Sequence, residues 1–218
     1  MQVVIVDFGS GNLKSLYTSL GKAKEDLKNI NIVVSNDSND VKKSDKVILP
    51  GVGTYSDCKK GLESIKGLRD ALEETVRRKS RPFLGICVGM QLMSTVGLEN
   101  GKTKGLNWIP GQVVPIEPGL MKHETLAKPK IPHMGWNQIC PNKSHFLFDG
   151  ITNERYFYFV HSFHFLCDFE DNVLATVDYH QSLVAIVEKE NMLGTQFHPE
   201  KSQLLGLKFL SNFLKWKP

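Results

Sequence analysis

Residues 81–93 read RPFLGICVGMQLM, an apolar run that ends in a cysteine between two glycines and is followed by a second apolar run. Residues 82–86 suit a buried strand, and Gln91, Leu92 and Met93 begin a helical pattern, so Cys87 falls at a strand-to-helix junction. A nucleophile there sits on a tight turn, with Gly85 and Gly89 leaving room for close chain approach, as in the elbow of hydrolases. A helix N-terminus favours thiolate over thiol. The N–H of Val88 points where an oxyanion would form. Taken alone, the pattern also fits a buried structural cysteine with glycines for close packing.

A thiol nucleophile needs a base, and the base an orienting group. His123 and His145 read as loop residues and His180 as a turn residue, whereas His198 lies in GTQFHPEKS. Pro199 biases His198 to extended backbone, and in extended chain residues i and i+2 project to the same side. Glu200 can then engage the imidazole and fix its tautomer, as the acid of a Cys-His-acid triad. A second oxyanion donor is available in VILPGVGTY, residues 47–55, where an apolar strand ends in Pro-Gly-x-Gly and offers the Val52 N–H. An ordinary strand-ending turn and a surface ion pair are the plainer readings of these two segments.

These parts must be positioned by a fold. Strand-like runs at residues 3–8, 32–34, 46–49 and 82–86 alternate with helical spacing. One helical stripe is Leu13, Leu16, Tyr17 and Leu20, with Leu27 a heptad later; a second is Leu62, Ile65, Leu68, Leu72 and Val76. Alternation of this kind predicts a largely parallel sheet covered on both faces. The second half is strand-rich at 108–116, 135–139, 154–163, 175–179 and 183–197, with a hairpin turning near Glu190 and Asn191. A last helix follows Ser202 as N-cap. The 218 residues fit one domain, 1–218, with 41% hydrophobic and 23% charged residues.

The net charge of +4 is scattered, which argues against a nucleic-acid surface. Lys122, Lys128 and Lys130 form a small basic cluster that reads as a solvated loop or a contact to an anion or partner. Cys58, Cys87, Cys140 and Cys167 have no CxxC spacing, so neither zinc nor dithiol chemistry is indicated, and no metal constellation is present. The N-terminal apolar run lacks a basic flank, and no segment approaches the ~20 apolar residues of a membrane helix. A reducing cytoplasm is the expected compartment.

PGVG, GICVGMQ and HPE together resemble the class I (triad) glutamine amidotransferases. That resemblance implies a three-layer, flavodoxin-like α/β fold with a central mostly parallel sheet and an antiparallel β extension in the second half. It implies hydrolysis of L-glutamine through a cysteine thioester, without a cofactor. VDFGSGNLKSL, IPHMGWNQI and YFVHSFH are similar to the branch whose glutaminase subunit pairs with a (β/α)8-barrel synthase subunit.

Carried over by position, the resemblance implies Cys87 as nucleophile, His198 as acid and base, Glu200 as its orienter, and Val52 and Val88 as oxyanion donors. Gly51, Gly53, Gln91, His161, Ser162 and Phe163 would hold glutamine, and Asn12, Trp136 and Asn137 would face the barrel. The oxyanion loop at Gly51 and Val52 would reorient for activity. Phe8 and Phe163 stand where the family pattern has tyrosine. Alternatives are a barrel with a different acceptor, such as a surface sugar, a cysteine hydrolase acting alone, and a silent scaffold.

Overall fold

The computed structural model describes residues 1–25, 27–117, 130–151 and 154–218. Lys122, Lys128 and His123 lie outside the described residues.

The first half alternates as the spacing predicts: β1 (Gln2–Val6), α1 (Leu13–Ala23), β2 (Asn31–Ser35), α2 (Ser38–Lys43), β3 (Lys46–Gly51), α3 (Tyr55–Ser64), α4 (Leu68–Leu72), β4 (Phe83–Cys87) and α5 (Val88–Gln91). Every residue of β3 and β4 is buried, as continuous apolar runs are when a parallel sheet is covered on both faces. After the short β5 (Val96–Gly97) and β6 (Thr103–Lys104) come β7 (Gly111–Pro115), β8 (His133–Pro141), β9 (Tyr156–His161), β10 (Phe163–Cys167), β11 (Val173–Asp178), β12 (Ser182–Lys189) and β13 (Met192–Thr195), then α6 (Gln203–Lys215).

The larger sheet has nine strands in the order β2-β1-β3-β4-β13-β12-β11-β8-β9. Its first five strands are parallel and the rest antiparallel, so one mixed sheet carries both halves of the chain. Crossover handedness places the helices. The β1–β2 step runs one way along the sheet and β2–β3 and β3–β4 the other, so right-handed connections put α1 on one face and α2, α3 and α4 on the opposite one. The contacts agree: α1 packs on α6, and α2 and α3 on α4. A second sheet, β10-β7-β5-β6, abuts the first.

Four local expectations change. The stripe from Leu62 to Val76 is buried except for the half-buried Ile65, but two α-helices and a π-helical turn at Glu73–Arg78 carry it, broken at Gly67 with φ +75°. Tyr17 is half exposed, because α1 buries Leu16, Leu20 and Ala23 instead. Residues 154–163 are not one strand: the chain leaves the large sheet after His161 and enters the small one at Phe163. Ser202 stands at the N-cap position of α6 without capping it; its hydroxyl donates to the His198 carbonyl at 2.6 Å and accepts the Tyr158 N–H at 3.0 Å. The hairpin does turn at Glu190 and Asn191, with Glu190 at φ +55°.

The glycine pair around Cys87 is a packing requirement. A Cβ on Gly85 would lie 2.7 Å from the Gly89 carbonyl oxygen, and one on Gly89 would lie 1.8 Å from the Leu49 carbonyl oxygen on β3. Both contacts are to backbone, which cannot move without shifting a central strand. Gly89→Ala is therefore expected to cost at least about 3 kcal/mol in chemical unfolding, or to abolish soluble protein.

Candidate active site

The carboxyl ends of β3, β4 and β13 meet at one edge of the sheet. The parallel register sets Gly51 beside Cys87 and Thr195 beside Ile86, so the residues that follow each strand converge. Ligands of open α/β sheets bind at such carboxyl ends. A cavity of about 660 Å³ opens there, lined by Asn12, Val52, Gly53, Cys87, Val88, Gln91, Glu99, His161, Ser162, Phe163 and His198, among others.

Cys87 adopts φ +54° and ψ −111°, the strained turn expected of an elbow nucleophile, and is almost fully buried. The helix behind it is shorter than the sequence pattern suggests. α5 is a single turn, and Leu92 and Met93 belong to the following turn, with Met93 donating to the Met90 carbonyl. So short a helix has a small dipole, and thiolate formation depends on the neighbours of Cys87. Val88 is the first helical residue, and its N–H has no intrahelical acceptor.

His198 and Glu200 are brought to this cysteine on the segment after β13. The His198 Nδ1–H donates to Glu200 Oε1 at 2.8 Å, which fixes the tautomer and turns Nε2 toward the site. Both side chains are at most 3% exposed. His198 Nε2 has no hydrogen-bond partner among the described residues, which leaves it open to a group bound in the cavity. Burial lowers the basicity of His198. The Cys87 sulfur and then the Glu200 carboxylate outweigh it, and the pKa rises to about 10. Nε2 and the sulfur make no hydrogen bond in this geometry, so the sulfur's share of the rise is electrostatic, and the Glu200 carboxylate adds a hydrogen bond to its own.

The oxyanion loop is turned away from the cysteine. The Val52 N–H donates to Ser10 Oγ at 2.9 Å, and Ser10 Oγ donates back to the Val52 carbonyl at 2.7 Å. The Cys58 thiol donates to the same carbonyl at 3.2 Å. Gly51 does not line the cavity; it packs beneath the elbow, where a Cβ would lie 2.7 Å from the Gly89 nitrogen.

The strand switch at Ser162 builds the opposite wall. Ile116 N–H donates to the Ser162 carbonyl, so the next pair, Phe163 opposite Pro115, is not hydrogen-bonded and the Phe163 carbonyl faces away from β7. That carbonyl accepts from Gln91 Nε2 at 3.1 Å and from His161 Nδ1 at 2.8 Å. Gln91 gives its second amide hydrogen to Gln196 Oε1, leaving Gln91 Oε1 as an acceptor for a bound molecule.

Two polar residues of this region, Glu99 on the cavity wall and Gln196 behind it, escaped the sequence reading. Glu99 is half-buried and holds the Tyr55 N–H at 2.7 Å on one oxygen. Gln196 is fully buried between Gln91 and Cys87. Glu99 lies in an unremarkable turn, but Gln196 carried a signal: it immediately follows the strand that pairs with β4. Trp136 and Asn137 take opposite faces of β8. Trp136 is exposed near Tyr158, whereas Asn137 turns inward and donates to the Asp178 carbonyl at 2.9 Å. Asn12 caps α1 at the cavity mouth. Among the described residues no group of three or more His, Cys, Asp or Glu is placed to hold a metal ion, and no helix is long and apolar enough to cross a membrane.

The class-I glutamine amidotransferase family matches residues 4–216. The imidazole glycerol phosphate synthase subunit HisH of Rhodopseudomonas palustris is 51% identical over 222 aligned positions, and that of Brucella melitensis 48%, each covering all of both chains. A solved glutamine amidotransferase superposes with a TM-score of 0.69 at 17% identity over 97% of each chain. One from Thermotoga maritima reaches 0.59 at 16%, over 92% of this chain and 76% of that one. These two show likeness of fold.

Ser10→Ala removes the hydroxyl that holds the Val52 peptide. With a net hydrogen bond worth about 1 kcal/mol, glutamate release from glutamine by the isolated chain is expected to rise about fivefold. An unchanged rate would mean that Ser10 does not restrain this loop.

His198 binds its proton more tightly in the folded state, so its contribution to stability is complete below about pH 6.5 and fades as pH rises through about 10. The stability difference between the native chain and His198→Gln is expected to narrow across that window, measured by urea unfolding at stepped pH.

Proposed function

The chain belongs to the class-I glutamine amidotransferase family, and we propose that it is the glutaminase subunit of imidazole glycerol phosphate synthase in histidine biosynthesis. The observation that carries the chemistry is the convergence of Cys87 with the His198–Glu200 pair on the wall of one cavity. The full-length relatives carry the pathway.

Glutamine enters with its side-chain amide against Cys87. Gln91 Oε1 accepts a substrate N–H, and the free oxygen of Glu99 faces the α-ammonium. The thiolate attacks the amide carbon and forms a C–S bond, and the oxyanion is received by the Val88 N–H. A second donor at Val52 requires its peptide to leave Ser10, so the chain on its own is expected to be nearly silent. An oxyanion donor of this kind is worth about 3 kcal/mol. Protonated His198 gives its proton to the departing ammonia. It then takes one from water, which cleaves the thioester to glutamate and regenerates Cys87.

Free ammonia would be protonated and lost to solvent, so a receiving partner is a chemical need. The (β/α)8-barrel synthase subunit is proposed as that partner in a heterodimer. It would combine ammonia with PRFAR to give imidazole glycerol phosphate and AICAR. The exposed strip of Met134, Trp136 and Tyr156 on β8 and β9 is an apolar surface suited to it. A cytoplasmic setting belongs to the same reading, because a reducing compartment keeps Cys58, Cys87, Cys140 and Cys167 as the free thiols they are here.

Glutamate release should rise by orders of magnitude when the chain is mixed with a histidine-pathway barrel subunit and its nucleotide ligand. The rise should vanish in Cys87→Ala. No rise with that barrel, but one with a barrel acting on another acceptor, would reassign the pathway and keep the chemistry.

A further inference from the structure

We propose that Gln196 is a further catalytic residue, whose amide N–H is held against the Cys87 sulfur and stabilises the thiolate. The proposal deepens the glutaminase reading and rests on Cys87 being its nucleophile. Gln196 Nε2 lies 3.7 Å from the sulfur, within reach of an N–H···S hydrogen bond.

A glutamine amide can ordinarily be turned either way, and its orientation must come from its partners. Here it is dictated from the Phe163 backbone carbonyl, which can only accept. Gln91 must point its NH2 group at that carbonyl, and the same group then reaches Gln196 Oε1 at 3.1 Å. Turning Gln196 over would set two NH2 groups against each other. Its NH2 is therefore forced toward Cys87.

The far side of the same carbonyl is equally directed. His161 Nδ1 donates to it, so His161 Nε2 accepts from His133 Nδ1 at 2.9 Å, and His133 Nε2 accepts from Asn137 Nδ2 at 3.3 Å. Burial keeps both imidazoles neutral, with His133 lowered to about 4 and His161 to about 3, as one-proton tautomers require. Nothing in this network leaves a proton free to reverse the sense of Gln196. Gln196 is also fully buried, away from bulk water that would compete for its hydrogens.

A thiolate is a far better acceptor than a thiol, and a hydrogen bond to the charged form favours it. Gln196 thus does for Cys87 what a one-turn helix cannot. The titratable and charged groups that face Cys87 are His198 with Glu200 behind it, Cys58 of α3 and, around the cavity, Glu99, His161 and Lys201; substituting Gln196 leaves all of them in place.

The test is the pH dependence of Cys87 alkylation by iodoacetamide in the full chain, read by mass spectrometry of the Cys87 peptide. In Gln196→Leu the midpoint is expected about one pH unit higher, with alkylation about tenfold slower on the acid side. A glutamine that merely fills space would cost stability without moving that profile. If Gln196→Leu fails to fold, Gln91→Met carries the test: it keeps Gln196 but frees its orientation, and should shift the midpoint the same way by less. Coincident profiles in a folded variant overturn the proposal alone. A native Cys87 that resists alkylation at every pH overturns the nucleophile assignment and the proposal with it.

Discussion

The site depends first on backbone register between neighbouring parallel strands. β4 lies between β3 and β13, and the ladder bonds set Gly51 and Thr195 level with Cys87 and Ile86. Three segments distant in sequence therefore leave the sheet side by side: the oxyanion loop, the elbow, and the strand end that carries Gln196, His198 and Glu200. A slip of one residue in any ladder would turn every side chain of that strand to the opposite face. Full burial on both faces excludes such a slip, because both sets of side chains are already packed. Gly51 and Gly89 follow from the closeness of β3 to the elbow, and Gly85 from the elbow folding back over β4.

Burial at this edge has opposite effects on different groups. It disfavours charge on His133 and His161, and the Phe163 carbonyl that favours charge on His161 does not outweigh it, so these rings serve as neutral, directed hydrogen-bonding groups. His198 experiences the same desolvation, yet faces a sulfur and a carboxylate that favour its charged form. The difference between a neutral and a readily protonated histidine is thus one of partners rather than exposure. The Phe163 carbonyl, turned inward by the change of sheets at Ser162, supports both wall and nucleophile through a single acceptor.

Alternation and apolar runs made the parallel half legible, since strands buried on both faces need no polar residues between apolar ones. The spacing from Leu62 to Val76 predicts one continuous helix, and the structure keeps its core-facing stripe while breaking the helix. Periodicity reports which residues face the core, and the left-handed Gly67 breaks the helix without altering that face. Ser202 looked like a cap because caps are a matter of residue type, but its hydroxyl is drawn to nearer partners at His198 and Tyr158. Trp136 and Asn137, adjacent in sequence, were assigned together, whereas a strand sends successive side chains to opposite faces.

The sequence by itself determined the candidate reactive groups and their local geometry: a cysteine on a glycine-flanked turn, and a histidine whose proline neighbour places a glutamate two residues on at its side. Those are short-range consequences of covalent structure and steric exclusion. Only the tertiary structure decided that Val52 rests on Ser10, that Glu99 faces the cavity, and that Gln196 presents a hydrogen to the sulfur. Each of these depends on which strand lies beside which and which way a carbonyl faces, and hydrogen bonds between distant residues leave no periodic trace in the order of the amino acids.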